Sequence, residues 1–145
     1  MDHHCPWINN CVSYSNYKQF FLLVAYLTVY SFYFVATSLE YIIEFFKDMQ
    51  ERKDSVHFIG GYVFTVVACV LFAVLLGYHV QLIRKNETTI ESLKEAVFCE
   101  GNMTFDLGCG RNLREVFGDN KVLWFVPVFS SLGDGYTFHV LNRVL

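Results

Sequence analysis

Two long apolar stretches organise this chain, and its polar chemistry collects at their ends. Residues 19–39 (QFFLLVAYLTVYSFYFVATSL) run about 20 positions without a charge, enough for a helix to cross the ~30 Å hydrocarbon core of a bilayer. Residues 40–46 mix acidic with aromatic side chains and continue that helix as it leaves the bilayer, so a first span is expected over 19–46. Residues 47–57 are short and charged, a natural lumenal hairpin loop. A second span opens with Gly60-Gly61 and closes on Arg84-Lys85, and is expected over 58–85. Such a hairpin puts residues 1–18 and 86–145 on the same side of the membrane. Buried helices of a soluble protein are the alternative, but apolar runs of this length seldom occur in soluble domains.

Composition strengthens this picture. Apolar residues make up 54% of the chain and charged ones 17%, below the ~25% usual for soluble domains. A net charge of -3 is too mild to draw a nucleic acid or an acidic substrate. Basic residues do not orient the hairpin, because Lys18, Arg84 and Lys85 on one side balance Lys47, Arg52 and Lys53 on the other. Cysteine usage does: Cys5, Cys11, Cys69, Cys99 and Cys109 are odd in number and irregular in spacing, as expected of reduced thiols facing cytosol. The polar opening, residues 2–17, has no basic start or apolar stretch of a signal peptide. Tyr30, Tyr33 and His79 fall at depths where a polar group needs a partner or water.

Beyond Lys85 the sequence turns soluble in character. Thr88 and Glu91 have capping-box spacing, residues 92–96 favour helix, and residues 101–110 are loop-like. Residues 112–117 read as a short helix stopped by Gly118, with Asn112 and Glu115 also at capping spacing. The apolar run 123–129 is too short to span and is expected to pack on the domain or at the interface. Glycosylation sequons at Asn86 and Asn102 would be silent on a cytosolic face, and Cys99 and Cys109 are read as inert.

The densest chemistry lies at the start, in Met1-Asp2-His3-His4-Cys5-Pro6-Trp7, with Cys11 close behind. A thiol reacts as its thiolate, and a free thiol is mostly protonated at neutral pH. A neighbouring imidazole can take the proton, and a carboxylate can fix that imidazole's tautomer. Asp2, His3 and Cys5 supply these groups. In an extended segment His3 and Cys5 share a face and His4 points the other way, where Cys11 could join it on zinc. An ordinary zinc knuckle using all of these residues explains the same spacing about as well.

Asp2-His3-His4-Cys5-Pro6-Trp7-Ile8-Asn9-Asn10-Cys11, followed by Asn16-Tyr17-Lys18-Gln19-Phe20, closely resembles the end of the cysteine-rich domain of the DHHC protein S-acyltransferases. The two spans resemble that family's third and fourth transmembrane helices. Thr88-Thr89-Ile90-Glu91 resembles its TTxE motif, and the stretch from Asn112 to Gly118 its asparagine motif. Residues 129–135 look like the tail of an animal subgroup with broad acyl preference. The resemblance implies that Cys5 is the acylated nucleophile, His3 its base and Asp2 the group orienting His3. It implies that His4 and Cys11 bind a structural zinc and that Trp7 and Tyr30 line the acyl chain. Thr89 would contact Asp2, and Asn112 would hold the C-terminal helix against the membrane helices. The donor would be palmitoyl-CoA or a similar fatty acyl-CoA, and the acceptors membrane-associated proteins with cytosolic cysteines.

Family members carry two earlier transmembrane helices and upstream cysteine and histidine ligands that are not in this sequence. The chain is therefore expected to be the C-terminal part of a longer protein. Its zinc site lacks partners, and residues 2–11 lack the metal that would order them. The expected fold is an all-α membrane protein: a two-helix transmembrane hairpin, a small irregular zinc-ribbon-like remnant at 1–18, and a short helical cytosolic tail at 86–145. The expected activity is transfer of a long acyl chain through acyl-Cys5, in Golgi, endoplasmic reticulum or plasma membrane, with the site facing cytosol. The rivals are an inert membrane fragment that acts by binding partners, and a small zinc-binding adaptor.

Overall fold

The computed structural model describes residues 1–47, 55–93 and 103–142. Residues 48–54 of the loop expected at 47–57 lie outside them, as do Cys99 and Asn102, while Lys47 and residues 55–57 of that expected loop are helical. The chain divides into two compact units, one of Met1–Leu22 with Gly77–Leu145, the other of Leu23–Leu76. It is mostly helical, not all-α, because short strand pairs accompany the helices.

Helix α1 spans Tyr17–Lys47 and helix α2 spans Ser55–Lys85. Both are long and apolar enough to cross a membrane, and the most apolar stretch of α2 buries none of its residues. Side chains such as Phe32, Phe64, Leu71 and Val74 stand exposed, as lipid-facing residues do. Polar side chains within the second unit satisfy themselves on their own helix. Thr28 donates to the Val24 carbonyl at 2.8 Å, Ser31 to Leu27 at 2.7 Å and Thr65 to Gly61 at 2.9 Å. Near the far ends of the two helices, Phe45 and Phe58 pack with ring centroids 6.0 Å apart.

The first unit gathers both ends of the chain. Strands β1 (His3–Cys5) and β2 (Asn10–Val12) pair antiparallel, with His3 opposite Val12, His4 opposite Cys11 and Cys5 opposite Asn10. Residues 2–11, which the missing metal partners left without an ordering agent, thus form a hairpin. Asn9 makes its turn with φ +48, a left-handed conformation that asparagine tolerates. Asp2 lengthens the ladder by donating its amide to Val12 at 2.8 Å. Asn16 then links the hairpin to α1: its side chain bonds Ser13 and Cys11, and its carbonyl takes the first helical bond, from Phe20 at 3.0 Å.

Helix α2 ends in a Schellman arrangement. Asn86 adopts φ +54, its amide bonds the Ile83 carbonyl, and the Glu87 amide bonds Leu82. The short helix α3 (Thr89–Leu93) follows at once, capped by Thr88: the Glu91 carboxylate accepts from the Thr88 amide at 2.8 Å, and Thr88 Oγ1 accepts from the Glu91 amide at 3.3 Å. Strand β3 (Met103–Thr104) pairs with β4 (Leu141–Asn142). Between them lie helix α4 (Cys109–Phe117) and a 3-10 turn at Lys121–Phe125.

Helix α4 starts three residues before the expected site, so Asn112 is inside it and does not cap it. The residue is fully buried and spends its amide elsewhere. Its Nδ2 donates to the Arg84 carbonyl and to Asp106 Oδ1, both at 2.7 Å, and its Oδ1 accepts from the Leu107 amide at 3.0 Å. Arg84 belongs to the last turn of α2, where carbonyls lack intrahelical partners. Gly118 ends α4 with φ +81, and a Cβ there would lie 2.1 Å from the Ser130 carbonyl oxygen, so the returning strand needs glycine. Tyr14 donates its hydroxyl to Leu132. Burial, then the carboxylates of Glu115 and Asp134, push that phenol above its usual range, so it stays a donor.

Lys18 is also not the surface charge that a count of flanking basic residues assumes. It is 1% exposed, and its ammonium donates to the Leu123 carbonyl at 2.7 Å, the Val128 carbonyl at 3.1 Å and Ser130 Oγ at 2.7 Å. Those bonds use all three of its protons. Replacing Lys18 by Met should therefore leave these part-buried acceptors without their donor and lower stability by roughly 1–3 kcal/mol, read as a lower Tm in detergent. Unfolding at the wild-type temperature would contradict this role for the ammonium.

Candidate active site

The site grows from strand β1. Asp2 is 2% exposed and its carboxylate accepts three hydrogen bonds. His3 Nδ1 lies 2.5 Å from Oδ2, Thr89 Oγ1 donates to Oδ2 at 2.8 Å, and the Thr89 amide donates to Oδ1 at 2.7 Å. Thr89 can reach Asp2 because the Thr88 capping box starts α3 one residue earlier, freeing the first helical amides to point outward. The local cap and the long-range contact coexist, each using a different threonine.

The strand alternation sorts the rest. His3 is half-buried, His4 exposed and Cys5 buried. With Nδ1 engaged by Asp2, the other nitrogen of His3, Nε2, is left for chemistry. Cys5 is a free thiol, and among the described residues its sulfur forms no hydrogen bond. A thiol, an imidazole two residues away and a carboxylate gripping that imidazole can together carry out nucleophilic attack on a thioester or similar carbonyl.

His4 and Cys11 face each other across the hairpin, with Nδ1 and Sγ 3.5 Å apart. Imidazole and thiolate are zinc donors, but a closed structural site takes four. Among the described residues no third histidine, cysteine or carboxylate joins them. The residues present thus fit half of a zinc site and do not close one. Trp7 stands 94% exposed in the hairpin turn. Tyr30 belongs to the other unit, where it is 67% exposed.

The sequence reading missed what packs around His3. Phe20 and His79 close on it as a triangle of rings, with centroids 5.0 Å from His3 to Phe20, 5.0 Å from Phe20 to His79 and 6.0 Å from His3 to His79. His79 is 2% exposed and its Nδ1 lies 3.0 Å from the Tyr17 hydroxyl. The sequence signal was that an imidazole at the depth of His79 needs a partner, which the structure supplies as Tyr17. A cavity of about 380 Å³ opens beside Asp2, over an apolar floor that includes Leu82 and Leu107 and with Glu87 and Glu115 in its lining. Neither Cys5 nor His3 borders it, so the thiol does not open into it.

Two candidate membrane helices, and a half-buried histidine held by a carboxylate two residues from a free cysteine, are features of a membrane protein with residues suited to thiol chemistry. Its sequence belongs to the DHHC palmitoyltransferase family, whose model matches residues 1–96. Palmitoyltransferase ZDHHC2 of Homo sapiens is 43% identical over 141 residues, 95% of this chain and 38% of that protein. Palmitoyltransferase ZDHHC15 is 41% identical in Xenopus laevis and 40% in Rattus norvegicus, again over 95% of this chain and 42% of those proteins. The chain spans about two fifths of the length of these curated relatives.

The Asp2–Thr89 contact makes a direct test. Thr89→Val removes one hydroxyl donor to a buried carboxylate and should cost about 1–3 kcal/mol, while Thr89→Ser keeps the donor and should unfold near the wild-type temperature. Equal melting of both variants would show that the hydroxyl contributes nothing.

Proposed function

We propose that this chain carries the reacting residues of a protein S-palmitoyltransferase and moves a long acyl chain from acyl-CoA to protein cysteines through acyl-Cys5. The observation that supports it most is the grip of Asp2 on His3 Nδ1, which leaves Nε2 as the acceptor for a proton from a thiol two residues along the same strand. In the first step Cys5 sulfur attacks the thioester carbonyl and His3 takes its proton. The carbon–sulfur bond to CoA breaks, and His3 returns the proton to the departing CoA thiolate. In the second step a substrate cysteine attacks acyl-Cys5, leaves with the acyl group, and Cys5 recovers its proton. Two half-reactions through a covalent enzyme predict ping-pong kinetics.

In this reading Asp2 orients His3 and steadies its cationic form, and Thr89 holds Asp2. Asn112 ties the C-terminal helix to the end of α2. Trp7 and Tyr30 contact the acyl chain, and His4 and Cys11 contribute two of the four ligands of a structural zinc. The site faces cytosol, where thiols stay reduced. The acceptors are membrane-associated proteins with cysteines at that surface. An inert fragment that acts by binding partners is the second reading, favoured by the lack of a third zinc donor among the described residues.

An alkyne analogue of palmitoyl-CoA separates the two. Wild-type chain should gain a hydroxylamine-sensitive label on Cys5, and Cys5→Ser should not. No label on either would leave the inert reading standing. Acyl length gives a further outcome: burial contributes about 0.8 kcal/mol per methylene, so a donor two methylenes shorter should have a KM roughly tenfold higher.

A further inference from the structure

We propose that His79, held by Tyr17, is a positioning residue that sets the ring plane of His3. This rests on the acyl-transfer reading of Cys5 and His3. One hydrogen bond, donated by His3 Nδ1 to Asp2, fixes one edge of the ring but by itself constrains the tilt of the ring plane less than packing against its faces does. The direction of Nε2, and so its approach to Cys5, is set by whatever touches the faces of the ring.

Phe20 and His79 do that. Phe20 meets His3 and His79 edge-on, each at 5.0 Å with planes 73° apart, so one side chain wedges against both imidazoles. His79 closes the triangle at 6.0 Å from His3. A phenylalanine at position 79 would fill the same space, so volume does not explain an imidazole that is 2% exposed. Its Nδ1 does. Tyr17 lies one turn from Phe20 on α1, 3.0 Å from that nitrogen, and its hydroxyl donates to it in the tautomer that carries the ring proton on Nε2. This bond fixes the tilt of His79, which fixes the wall against which His3 lies. Tyr78 also packs edge-on against His79 with centroids 5.5 Å apart, and its own hydroxyl is held by Ser92 at 2.6 Å. His3 is therefore steered from α1 and α2 as well as from Asp2.

The experiment compares Tyr17→Phe, His79→Phe and His79→Asn in the full chain. Asn places a carbonyl oxygen where Nδ1 stands and can still accept from Tyr17; Phe cannot. Two rates are measured: alkylation of Cys5 by iodoacetamide, followed by peptide mass spectrometry, and loading of Cys5 from palmitoyl-CoA. A misaimed base should slow both about tenfold in Tyr17→Phe and His79→Phe, a part of the 10²–10⁴ that general bases contribute. The loss should fall on kcat with KM for palmitoyl-CoA unchanged. The Tyr17→Phe/His79→Phe double variant should be no slower than either single one, and His79→Asn should recover to within about threefold of wild type. Equal slowing in His79→Asn and His79→Phe, or wild-type rates in His79→Phe, would overturn the proposal. Alkylation does not need acyl-CoA, so a wild-type chain that never loads palmitate would sink the acyl-transfer reading while the alkylation series still decides the role of His79.

Discussion

The first unit depends on a single buried carboxylate. Asp2 is almost without solvent, and an ionised carboxylate in that position is costly unless its oxygens are bonded. Three donors meet the need, one from the neighbouring histidine and two from Thr89, eighty-seven residues along the chain. The geometry that makes burial tolerable also aims His3 and pins the segment beyond α2 to the hairpin. Structural and chemical requirements therefore converge on one side chain. Removing the side chain would leave three donors, the Thr89 amide, the Thr89 hydroxyl and His3 Nδ1, without their acceptor.

The same economy recurs wherever a helix stops. Three of the last carbonyls of α2 find partners within the chain, those of Leu82 and Ile83 in a Schellman turn and that of Arg84 in the Asn112 amide. Lys18 does comparable work on the opposite side, using its ammonium as a three-way donor to the returning segment 123–130. These contacts hold the C-terminal region with hydrogen bonds of fixed direction. Apolar packing alone, such as the 5.4 Å contact of Phe21 with Phe117, would allow sliding. A site that must hold an imidazole to within a fraction of an ångström gains from the directional kind.

The sequence made legible what depends on sums and on neighbours. A span announces itself because hydrophobic length is additive, and both long helices lie where the apolar runs are. The Thr88–Glu91 box is visible because its partners are three residues apart. Asn112 shows the limit of that logic: its spacing to Glu115 imitates a cap, yet the helix begins at Cys109 and the amide serves Arg84 instead. Lys18 misled in the same way, since a basic residue at the foot of a span looks identical whether it faces headgroups or three part-buried acceptors. His79 could be read only as a polar group at a depth that needs a partner or water, without a clue to which partner. Its significance comes from a meeting with His3 and Tyr17, more than sixty positions away, and nothing local encodes that.

What the hairpin contributes follows from these placements. A thiolate is best stabilised where water or a cation is near, whereas an acyl tail is best dissolved in hydrocarbon. Cys5 sits on β1, whose partner strand β2 reaches α1 through only a short turn, so its position is tied to where the apolar stretch begins. Asp2 and Thr89 draw in the exit of α2 as well, and the strand is fixed by both helix ends at once. A shift of either helix along its axis would move the carboxylate, then the imidazole, then the sulfur. In the proposed reaction, the position of the Cys5 sulfur is thereby coupled through hydrogen bonds to the ends of both apolar helices.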